Sequence, residues 1–519
     1  MGKFKIVICL FMVFQTYLLS AVPVKKGDIV FTSNFNLETN RTHWSKLNNA
    51  EWVKDDVSGN TCLLVKGEGM VHASVPLSPF RGMTLLFKCR VKAEKVTKPV
   101  QSHNGIKYML HYKSYSNDIW KNEGNINGTF DWKDLSFTVT IPNDASIGDL
   151  YLGIQGSSGK VWFDNLSVTV ENAPPIPLTN SEKTNEVSKD SGLRGVMSPG
   201  SFNEKDIKTL GLEWKANLIR WQLTMNQNEV NLSNTNLEEY DRWLNKKLTE
   251  LDKALIACNK YGIKVVIDLH FAPGGRDATG ETNMFHEKKY NDHFITIWQV
   301  IAQRYRENPT VWGYDLTNEP IQYKPSPEGM DYIETQTRAA EEIRKIDQKT
   351  SIIIQVNGSD APNRFGTFTA INMSNIIYEV HMYLPFTFTH QGVGNSTSNV
   401  TYPGIIGGKY YDKNKLKEIL QPVLDFQLMY HVPIYVGEFT AVRWAPGASQ
   451  YISDCIDIFD EYGWNWTYHS FREWTGWDVE FENGRNNTEN AKKALKDTDR
   501  KSVLLKGFAK NKCITYDLQ

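Results

Sequence analysis

The sequence has few cysteines, and their pattern predicts neither a metal site nor a disulfide framework. It contains six cysteines in 519 residues, and one of them, Cys9, lies in the apolar N-terminal segment. The other five are an odd number, so at least one thiol stays outside any intrachain disulfide. Spacing allows a Cys62–Cys89 disulfide without requiring it. Because no CxxC pair and no cluster of His and Cys ligands occurs, we expect no structural zinc and no other metal.

The chain also lacks a strong charge of either sign. Its formal net charge is −1, from 58 basic and 59 acidic residues, and it has no basic block. Proteins that bind nucleic acid or anionic membranes usually carry clustered Lys and Arg. Beyond the N-terminal segment, no run reaches the roughly 18 apolar residues that a membrane-spanning helix needs. We therefore expect neither nucleic acid nor a membrane among the partners of the mature chain.

Residues 1–21 have the pattern of a secretory signal peptide. Lys3 and Lys5 precede an apolar run over residues 6–17, and Leu-Ser-Ala at 19–21 supplies small residues for cleavage. An uncleaved membrane anchor is the alternative interpretation. We expect a secreted or extracellular protein, which in a bacterium would be periplasmic or on the cell surface.

Residues 25–171 have the pattern of an all-β domain. Short segments rich in β-branched and aromatic residues are separated by Gly, Asn, Asp and Pro, which predicts an antiparallel β-sandwich. The predicted strands cover residues 61–65, 83–91, 106–112, 135–141, 150–155 and 161–170. Residues 172–190 are rich in Pro, Ser, Asn, Lys and Glu, which predicts a linker.

From residue 191 to residue 511 the pattern changes to strands that alternate with helices. Predicted helices include residues 237–261, 292–306, 332–347 and 448–462. Eight strands are predicted at residues 193–197, 217–223, 264–269, 311–316, 351–356, 376–381, 434–438 and 463–468. Eight strands alternating with helices over about 320 residues are typical of a (β/α)₈ TIM barrel, an α/β fold.

Polar side chains cluster where these predicted strands end. Glu319 ends the fourth and Glu438 ends the seventh, and each follows a short apolar run that is typical of a buried strand. In a TIM barrel the carboxyl ends of the strands line the active site. Two carboxylates in one cleft are the minimum for glycoside hydrolysis. Candidates at other strand ends are Arg220, His270, Asn318, His381, Tyr383 and Trp474.

The ordered set of motifs resembles glycoside hydrolase family 5, a cellulase-like family of retaining (β/α)₈ enzymes. Asn-Glu-Pro at 318–320 follows the fourth predicted strand, and Gly-Glu-Phe at 437–439 ends the seventh. Asp-Leu-His at 268–270 and Val-His-Met-Tyr at 380–383 add to the resemblance. It extends from Gly192 to Phe508, which is nearly all of the second domain.

The resemblance implies a role for each matching residue. Glu319 would be the general acid/base, and Glu438 would be the nucleophile that forms a glycosyl-enzyme. Tyr383 would donate a hydrogen bond to Glu438 and Arg220 would lie beneath it, so that both keep this carboxylate ionised. The remaining matches would bind sugar hydroxyls or orient the acid/base: Asn318 (on the 2-hydroxyl), His270 and His381.

The eighth predicted strand departs from the family pattern. The family usually places a tryptophan there as a platform under the sugar, whereas this chain has His469 at about that position. Trp474 is the predicted replacement, with Trp477 as the alternative. Glu473 and Asp478 are further acidic candidates near the same rim.

The first domain resembles carbohydrate-binding modules of the jelly-roll type. The resemblance rests on residues 29–36, on Asp-Trp-Lys at 131–133 and on residues 161–168. Core packing is the more frequent role of a tryptophan in such a domain. The candidates for a sugar platform are Trp44, Trp52, Trp120 and Trp132.

Together these patterns predict a retaining β-glycosidase that hydrolyses O-glycosidic bonds of a polysaccharide or oligosaccharide by double displacement with two glutamates. An endo-β-1,4-glucanase (cellulase) is the family default, and mannanase, xylanase, xyloglucanase and exo-β-glucanase activities stay open. A non-catalytic polysaccharide-binding protein is a second hypothesis. A metal-dependent barrel hydrolase is disfavoured, because the first predicted barrel strand has no His-x-His ligand pair. We expect no cofactor and a monomer.

Overall fold

The computed structural model of the protein describes most of the chain. The described residues are 24–45, 49–55, 58–115, 117–122, 126–173, 192–198, 201–225, 236–394, 396, 398–484 and 491–512. The predicted signal peptide, all but the first two residues of the predicted linker, and Cys513 lie outside them. No helix among the described residues is long and apolar enough to cross a membrane.

The N-terminal part forms two antiparallel sheets that enclose a hydrophobic core. In chain order its strands are Ile29–Ser33 (β1), Ala50–Lys54 (β2), Thr61–Lys66 (β3), Gly69–Pro76 (β4), Thr84–Val96 (β5), Gly105–Ser114 (β6), Asn117–Asn122 (β7), Gly128–Thr140 (β8), Ile147–Gln155 (β9) and Lys160–Asn172 (β10). One sheet has the order β2-β3-β10-β5-β8, with β1 also paired to β10, and the other has the order β4-β9-β6-β7. The predicted antiparallel β-sandwich is therefore confirmed.

Alternation of side chains explains why these segments form strands. Along β5, Leu85, Phe87, Cys89 and Val91 are buried, whereas the residues between them face outward, as expected when successive side chains point to opposite faces. The short helix Glu38–Arg41 and the 3₁₀ turn Ser78–Phe80 connect strands of this part.

The four described cysteines, Cys62, Cys89, Cys258 and Cys455, are buried, and no disulfide joins them. Strand β10 lies between β3, which carries Cys62, and β5, which carries Cys89. Neighbouring strands are about 4.8 Å apart, so two strands separated by a third are too far apart for the Cα distance that a disulfide requires. The Cys62–Cys89 disulfide that spacing allowed is thus not formed.

The four candidate tryptophans of the sandwich differ in exposure. Trp44 is buried against Phe35, and Trp52 packs on the same phenylalanine. Trp132 is half-buried beside a guanidinium, with the Arg90 Cζ 5.3 Å from its ring centroid. Trp120 is 51% exposed and stacks on a histidine ring, His111, at 3.8 Å. Among the four, only Trp120 offers a substantially open ring face.

The C-terminal part is a closed barrel of eight parallel strands. Its strands are Arg194–Ser198 (β11), Leu218–Gln222 (β12), Lys264–Asp268 (β13), Val311–Asp315 (β14), Ser351–Ile354 (β15), Ile376–Met382 (β16), Ile434–Phe439 (β19) and Asn465–Tyr468 (β20). A hairpin of Gly404–Ile406 (β17) and Lys409–Tyr411 (β18) precedes β19. Pairing of β11 with β20 closes the barrel. All eight predicted barrel strands are present, and the predicted fold is confirmed.

Helices surround the barrel and face it with one apolar side. They are Glu204–Lys208, Leu237–Lys260, Lys288–Tyr305, Tyr332–Ile346, Phe386–Thr389, Lys413–Tyr430, Ala448–Tyr462 and Asp499–Phe508. A π-helical turn, Thr209–Trp214, and 3₁₀ turns at Asn283–Phe285 and Pro362–Thr367 complete this part. Asp331 starts Tyr332–Ile346 with a capping box to Glu334, and Asn236 caps Leu237–Lys260, so local sequence signals set where these helices begin.

The barrel interior is apolar near the amino ends of the strands and charged toward their carboxyl ends. The apolar layer consists of Leu193, Leu218, Val266, Trp312, Ile353, Ile377 and Tyr435. Two residues further along a strand the side chain points to the same side. Leu218 is therefore followed by Arg220, Val266 by Asp268 and Ile377 by Glu379, and these three charged residues are fully buried.

Gly437 makes room for this charged layer. A Cβ atom at Gly437 would lie 1.5 Å from Glu379 Oε1, so only glycine leaves space for the Glu379 carboxylate. The position follows Tyr435 by two residues and therefore faces the interior.

The sandwich packs against the side of the barrel. The Asn143 backbone N–H donates to the Gly366 carbonyl at 2.8 Å, and the Thr369 hydroxyl donates to the Gly82 carbonyl at 3.2 Å. These contacts join the loops around residues 82 and 143 to the segment that follows β15.

Candidate active site

Glu438 lies in β19 and is held from two sides. Its Oε1 accepts a hydrogen bond from Arg220 Nη1 at 2.6 Å, and its Oε2 accepts one from the Tyr383 hydroxyl at 2.5 Å. The Nδ1 atoms of His469 and His381 lie 3.3 Å and 3.7 Å from Oε2. Because its side chain is only 5% exposed, the carboxylate is fixed by protein donors instead of water.

The pKa of Glu438 is held well below its ordinary value. Burial alone would raise a carboxyl pKa, but the positive charges of His381, His469 and Arg220 outweigh burial here. Burial would likewise lower the pKa of His381, yet Glu438, Glu319 and Glu379 together raise it well above its ordinary value. Glu438 and His381 are therefore both charged.

Glu319 lies on the loop after β14, four residues beyond the last strand residue. Its backbone N–H donates to Gln355 Oε1 at 2.7 Å, and Arg276 Nη2 donates to its carbonyl at 2.7 Å. Its φ is 47°, a left-handed conformation that costs a non-glycine residue about 1 kcal/mol or more. These two hydrogen bonds hold the strained residue, and its side chain stays 29% exposed.

His381 links the two predicted catalytic glutamates. Its Nδ1 lies 2.9 Å from Glu319 Oε1, and its Nε2 lies 3.0 Å from Glu379 Oε1. One oxygen of Glu319, one oxygen of Glu438 and a ring nitrogen of His381 all lie within 4.8 Å of one another. The fold thus brings both carboxyl groups to one point at the carboxyl ends of the strands.

His270 and Asn318 lie next to each other at the same rim. The His270 Nδ1 is 2.8 Å from Asp268 Oδ2, which orients the ring. Its Nε2 lies 3.4 Å from the Asn318 amide nitrogen, and the amide oxygen accepts from Arg220 Nη2 at 3.0 Å. Both side chains are therefore oriented by buried charged residues of the barrel.

The segment after β20 places His469 beside Glu438 and packs two tryptophans behind it. The centroid of the Trp477 ring lies 4.5 Å from that of His469 and 6.4 Å from that of Tyr383. Trp474 packs perpendicular to Trp477 at 4.9 Å. Trp474 therefore reaches the site through Trp477, and Trp477 is the ring next to Tyr383 and His469.

The two extra acidic candidates have different surroundings. Glu473 Oε2 is hydrogen-bonded to His469 Nε2 and to Gln222 Nε2, each at 3.1 Å. Asp478 is buried and accepts a hydrogen bond from the Glu480 backbone at 2.8 Å. Glu473 thus belongs to the site, whereas Asp478 supports the loop itself.

A profile of the family described as "Cellulase (glycosyl hydrolase family 5)" matches residues 180–474, more than half of the chain. The chain belongs to glycosyl hydrolase family 5. It is a glycoside hydrolase, and the family resemblance seen in the sequence is confirmed.

Curated relatives of this family 5 chain match it over a stretch the size of the barrel. Endoglucanase C of Acetivibrio thermocellus is 27% identical over 298 residues, which are 51% of this chain and 84% of that protein. Cellodextrinase A of Ruminococcus flavefaciens is 25% identical over 315 residues, 56% of this chain and 88% of that protein. Among solved structures, Thermotoga maritima Cel5A in complex with cellobiose has 22% identity and a TM-score of 0.48 over 62% of this chain and 100% of that chain.

Among the described residues, two groups place metal-ligand atoms close together. They are Glu319, His381 and Glu438, and Asp360, Glu379 and His381. Both groups need His381, whose two nitrogens already bond to carboxylates. A protonated imidazole has no lone pair for a metal. The absence of a metal from the reaction stays a prediction.

Sequence reasoning missed the carboxylates that surround Arg220 in this family 5 barrel. Arg220 Nε and Nη2 donate to Asp315 Oδ2 at 2.8 and 2.7 Å. Asp268 Oδ1 lies 3.3 Å from Nη2, and Glu379 Oε1 lies 3.3 Å from Nε. The missed signal is an acidic residue inside an otherwise apolar strand, as in Val-Trp-Gly-Tyr-Asp at 311–315. Gln355 was also missed, because its role depends on the loop conformation of Glu319.

Arg220→Met is expected to destabilise the barrel by about 3–5 kcal/mol, because it leaves a group of buried carboxylates without their cation. Arg220 is fully buried and contacts Asp315 and Glu438 directly. The measurement is urea unfolding followed by tryptophan fluorescence. A variant that cannot be obtained in folded form would also agree with the prediction. Arg220→Lys should recover part of the loss, because it keeps the charge but not the planar fork.

The control is Arg242→Met, since the Arg242 side chain is 73% exposed. We expect a change within about 0.5 kcal/mol there. An Arg220→Met protein that unfolds at the wild-type urea concentration would show that the buried carboxylates do not depend on the guanidinium.

Proposed function

We propose that the enzyme is a retaining endo-β-1,4-glucanase in which Glu438 is the nucleophile and Glu319 the general acid/base. The observation that carries the proposal is that one oxygen of Glu319 and one oxygen of Glu438 lie within 4.8 Å of each other, which leaves little room for a water molecule between them. Retaining glycosidases have carboxyl groups roughly 5–5.5 Å apart, whereas inverting enzymes need about 6.5–9.5 Å to fit a water molecule. The short separation supports double displacement.

In the first step, Glu438 forms a bond to the anomeric carbon as the glycosidic C–O bond breaks, and the Glu319 proton goes to the departing oxygen. In the second step, water attacks the same carbon and gives its proton to Glu319. As the bond to water forms, the bond to Glu438 breaks, and Glu438 leaves as a carboxylate. Each step inverts the carbon, so the product keeps the β configuration.

The different surroundings of the two glutamates support these roles. Glu438 is buried and receives hydrogen bonds on both oxygens, as a nucleophile that must stay ionised requires. Glu319 is 29% exposed, so it can reach a leaving group and then a water molecule. His381 Nδ1 contacts Glu319 Oε1, which leaves Oε2 to carry the catalytic proton.

The binding roles of the other predicted residues follow from the same geometry. Asn318 contacts Arg220, His270 contacts Asn318, and both present polar groups to the sugar that would bond to Glu438. Asn318 fits the 2-hydroxyl, a contact that strengthens in the transition state. Trp474 and Trp477 are candidates for stacking on a sugar ring, and Trp477 is nearer to Tyr383.

The substrate class is proposed from the relatives. Endoglucanase C and Cellodextrinase A match most of their own length to this chain, so β-1,4-glucan and its oligosaccharides are the proposed substrates. A β-xylosidase of Phanerodontia chrysosporium matches over only 147 residues, which makes xylan the weaker choice.

We also propose that the enzyme is secreted, on the pattern of residues 1–21, and that it is a monomer. A carbohydrate-binding role of the sandwich, with Trp120 as its platform, stays a prediction.

Hydrolysis of cello-oligosaccharides followed by ¹H NMR tests both parts of the proposal. We expect the β anomer of the product to appear first and then to convert to the α anomer by mutarotation. In parallel, reducing-sugar release is measured on β-1,4-glucan, mixed-linkage glucan, xyloglucan, mannan, xylan and β-1,3-glucan, with β-1,4-glucan expected to give the highest rate. An α anomer first would exclude double displacement, and a higher rate on another polymer would replace the substrate assignment.

A further inference from the structure

A chain of hydrogen bonds runs from Glu473 to Glu438 through two intermediate side chains. Glu473 Oε2 lies 3.1 Å from His469 Nε2, and His469 Nδ1 lies 2.6 Å from the Tyr383 hydroxyl. That hydroxyl lies 2.5 Å from Glu438 Oε2. His469 is 7% exposed, so its two ring nitrogens depend on these protein partners.

The positions of the protons in this chain follow from its two ends. A carboxylate accepts only, so His469 Nε2 must carry a hydrogen toward Glu473. If Nδ1 were bare, it would compete with Glu438 for the single hydroxyl proton of Tyr383. If Nδ1 is protonated, it donates to the Tyr383 oxygen, and the tyrosine proton is then directed to Glu438.

The surroundings favour the protonated imidazole. Burial lowers a histidine pKa, but Glu473 and then Glu438 raise the pKa of His469 to about 9. Burial would raise the pKa of Glu473, but His469 lowers it to about 2. Gln222 also donates to Glu473 at 3.1 Å, which fixes the carboxylate in place.

Two aromatic rings that pack on the pair and on Tyr383 carry no charge. Trp477 packs on the His469 ring at 4.5 Å and carries no charge. His390 packs on the edge of Tyr383 at 5.1 Å, and burial, followed by the charge of His469, lowers its pKa to about 4. His390 is therefore neutral. The positive charges near Glu438 are those of His469, of His381, whose Nδ1 lies 3.7 Å from Oε2, and of Arg220 on Oε1.

We propose that Glu473 and His469 are positioning residues that keep the Tyr383 hydroxyl aimed at Glu438. The inference rests on the proposed role of Glu438 as nucleophile and deepens it. His469 stands at about the position where the family usually has a tryptophan platform. In this chain its ion pair with Glu473 orients the hydroxyl that donates to the nucleophile. Neither residue needs to touch the substrate in this role, so their effect should be on kcat and not on substrate binding.

The first test is a titration of His469 in wild type and in Glu473→Gln. Protein labelled with ¹⁵N-histidine contains eleven histidines, and the His469 signals are those absent from His469→Gln. We expect the wild-type midpoint near 9 and a drop of at least about one pH unit in Glu473→Gln, because the amide keeps the shape but loses the charge. An unchanged midpoint would overturn the proposal, and this readout needs no substrate.

The second test measures kcat and KM on an aryl β-cellobioside. Glu473→Gln and Tyr383→Phe should each lower kcat by about 10- to 100-fold with KM unchanged, the effect expected for one hydrogen bond to a charged group. In Tyr383→Phe the Glu473→Gln change should cost less than it costs in wild type, because the part that passes through the hydroxyl is already lost, whereas His469 Nδ1 still lies 3.3 Å from Glu438 Oε2. Multiplicative losses, or a raised KM with kcat intact in Glu473→Gln, would overturn the proposal.

The matched control is Glu482→Gln, an exposed acidic residue of the same C-terminal segment. It should match wild type in both tests. In the kinetic profile of wild type, kcat should fall as pH rises through the His469 midpoint, and this fall should move to lower pH in Glu473→Gln. If wild type hydrolyses no cello-oligosaccharide or aryl cellobioside, the proposed function fails, while the histidine titration still decides the pairing of His469 with Glu473.

Discussion

Glu438→Ala is expected to lose at least about 10⁴-fold in kcat on every substrate that the wild-type enzyme hydrolyses. The variant removes the group that would bond to the anomeric carbon. In the wild-type protein Arg220 Nη1 and the Tyr383 hydroxyl donate to this carboxylate at 2.6 and 2.5 Å, and the variant removes their acceptor. The rate of reducing-sugar release from cello-oligosaccharides is the measurement.

Azide distinguishes the loss of a nucleophile from a general loss of structure. The small anion can enter the space left by the Glu438 side chain and attack the anomeric carbon of an aryl β-cellobioside. A single displacement inverts this carbon, so we expect an α-glycosyl azide, which ¹H NMR identifies. Glu438→Gln is the control, because its side chain fills the space and azide should not restore activity. A β-glycosyl azide, or Glu438→Ala activity within about tenfold of wild type, would contradict the assignment.

The barrel could be predicted from the sequence because its strands are buried on both faces. Such strands appear as short apolar runs, and the runs at residues 264–269 and 434–438 match β13 and β19 within one residue at each end. The sequence did not predict four sandwich strands, β1, β2, β4 and β7, and β2 and β7 carry several polar residues on an open face. Period-two alternation over only five to eight residues is a weak signal.

The convergence of the candidate site residues followed from topology. Carboxyl ends of parallel strands share one rim, so Arg220, Glu319, His381, Tyr383 and Glu438 were expected there, and the structure brings them into one hydrogen-bonded group. Their catalytic roles stay predictions that the variants test.

The loop after β20 was the least predictable part of the site. A loop has no hydrophobic periodicity, so the sequence could not say which of Trp474 and Trp477 is nearer to Tyr383. The pairing of His469 with Glu473 also depends on that loop. A spacing of four residues would have suggested a pair only on a helix, and this segment is not helical.

Glu319→Ala is expected to show a dependence on the leaving group that Glu438→Ala does not show. An oligosaccharide leaving group must be protonated, so kcat on cello-oligosaccharides should fall by about 10³-fold or more. A dinitrophenyl leaving group needs no proton, so the first step on dinitrophenyl β-cellobioside should stay near the wild-type rate. The second step should be slow, because no base activates water. A rapid burst of dinitrophenol followed by a slow steady state is the expected stopped-flow result.

Azide should also separate the two glutamates by stereochemistry. In Glu319→Ala it replaces water in the second step and attacks the glycosyl-enzyme, so two inversions give a β-glycosyl azide and the steady state accelerates. Glu328→Ala is the control, because Glu328 is an exposed acid on the same loop after β14 and should behave as wild type. Equal losses on both leaving groups, or an α-glycosyl azide, would mean that Glu319 does not protonate the departing oxygen. Glu319, partly exposed and next to His381, would then serve substrate binding instead of proton transfer.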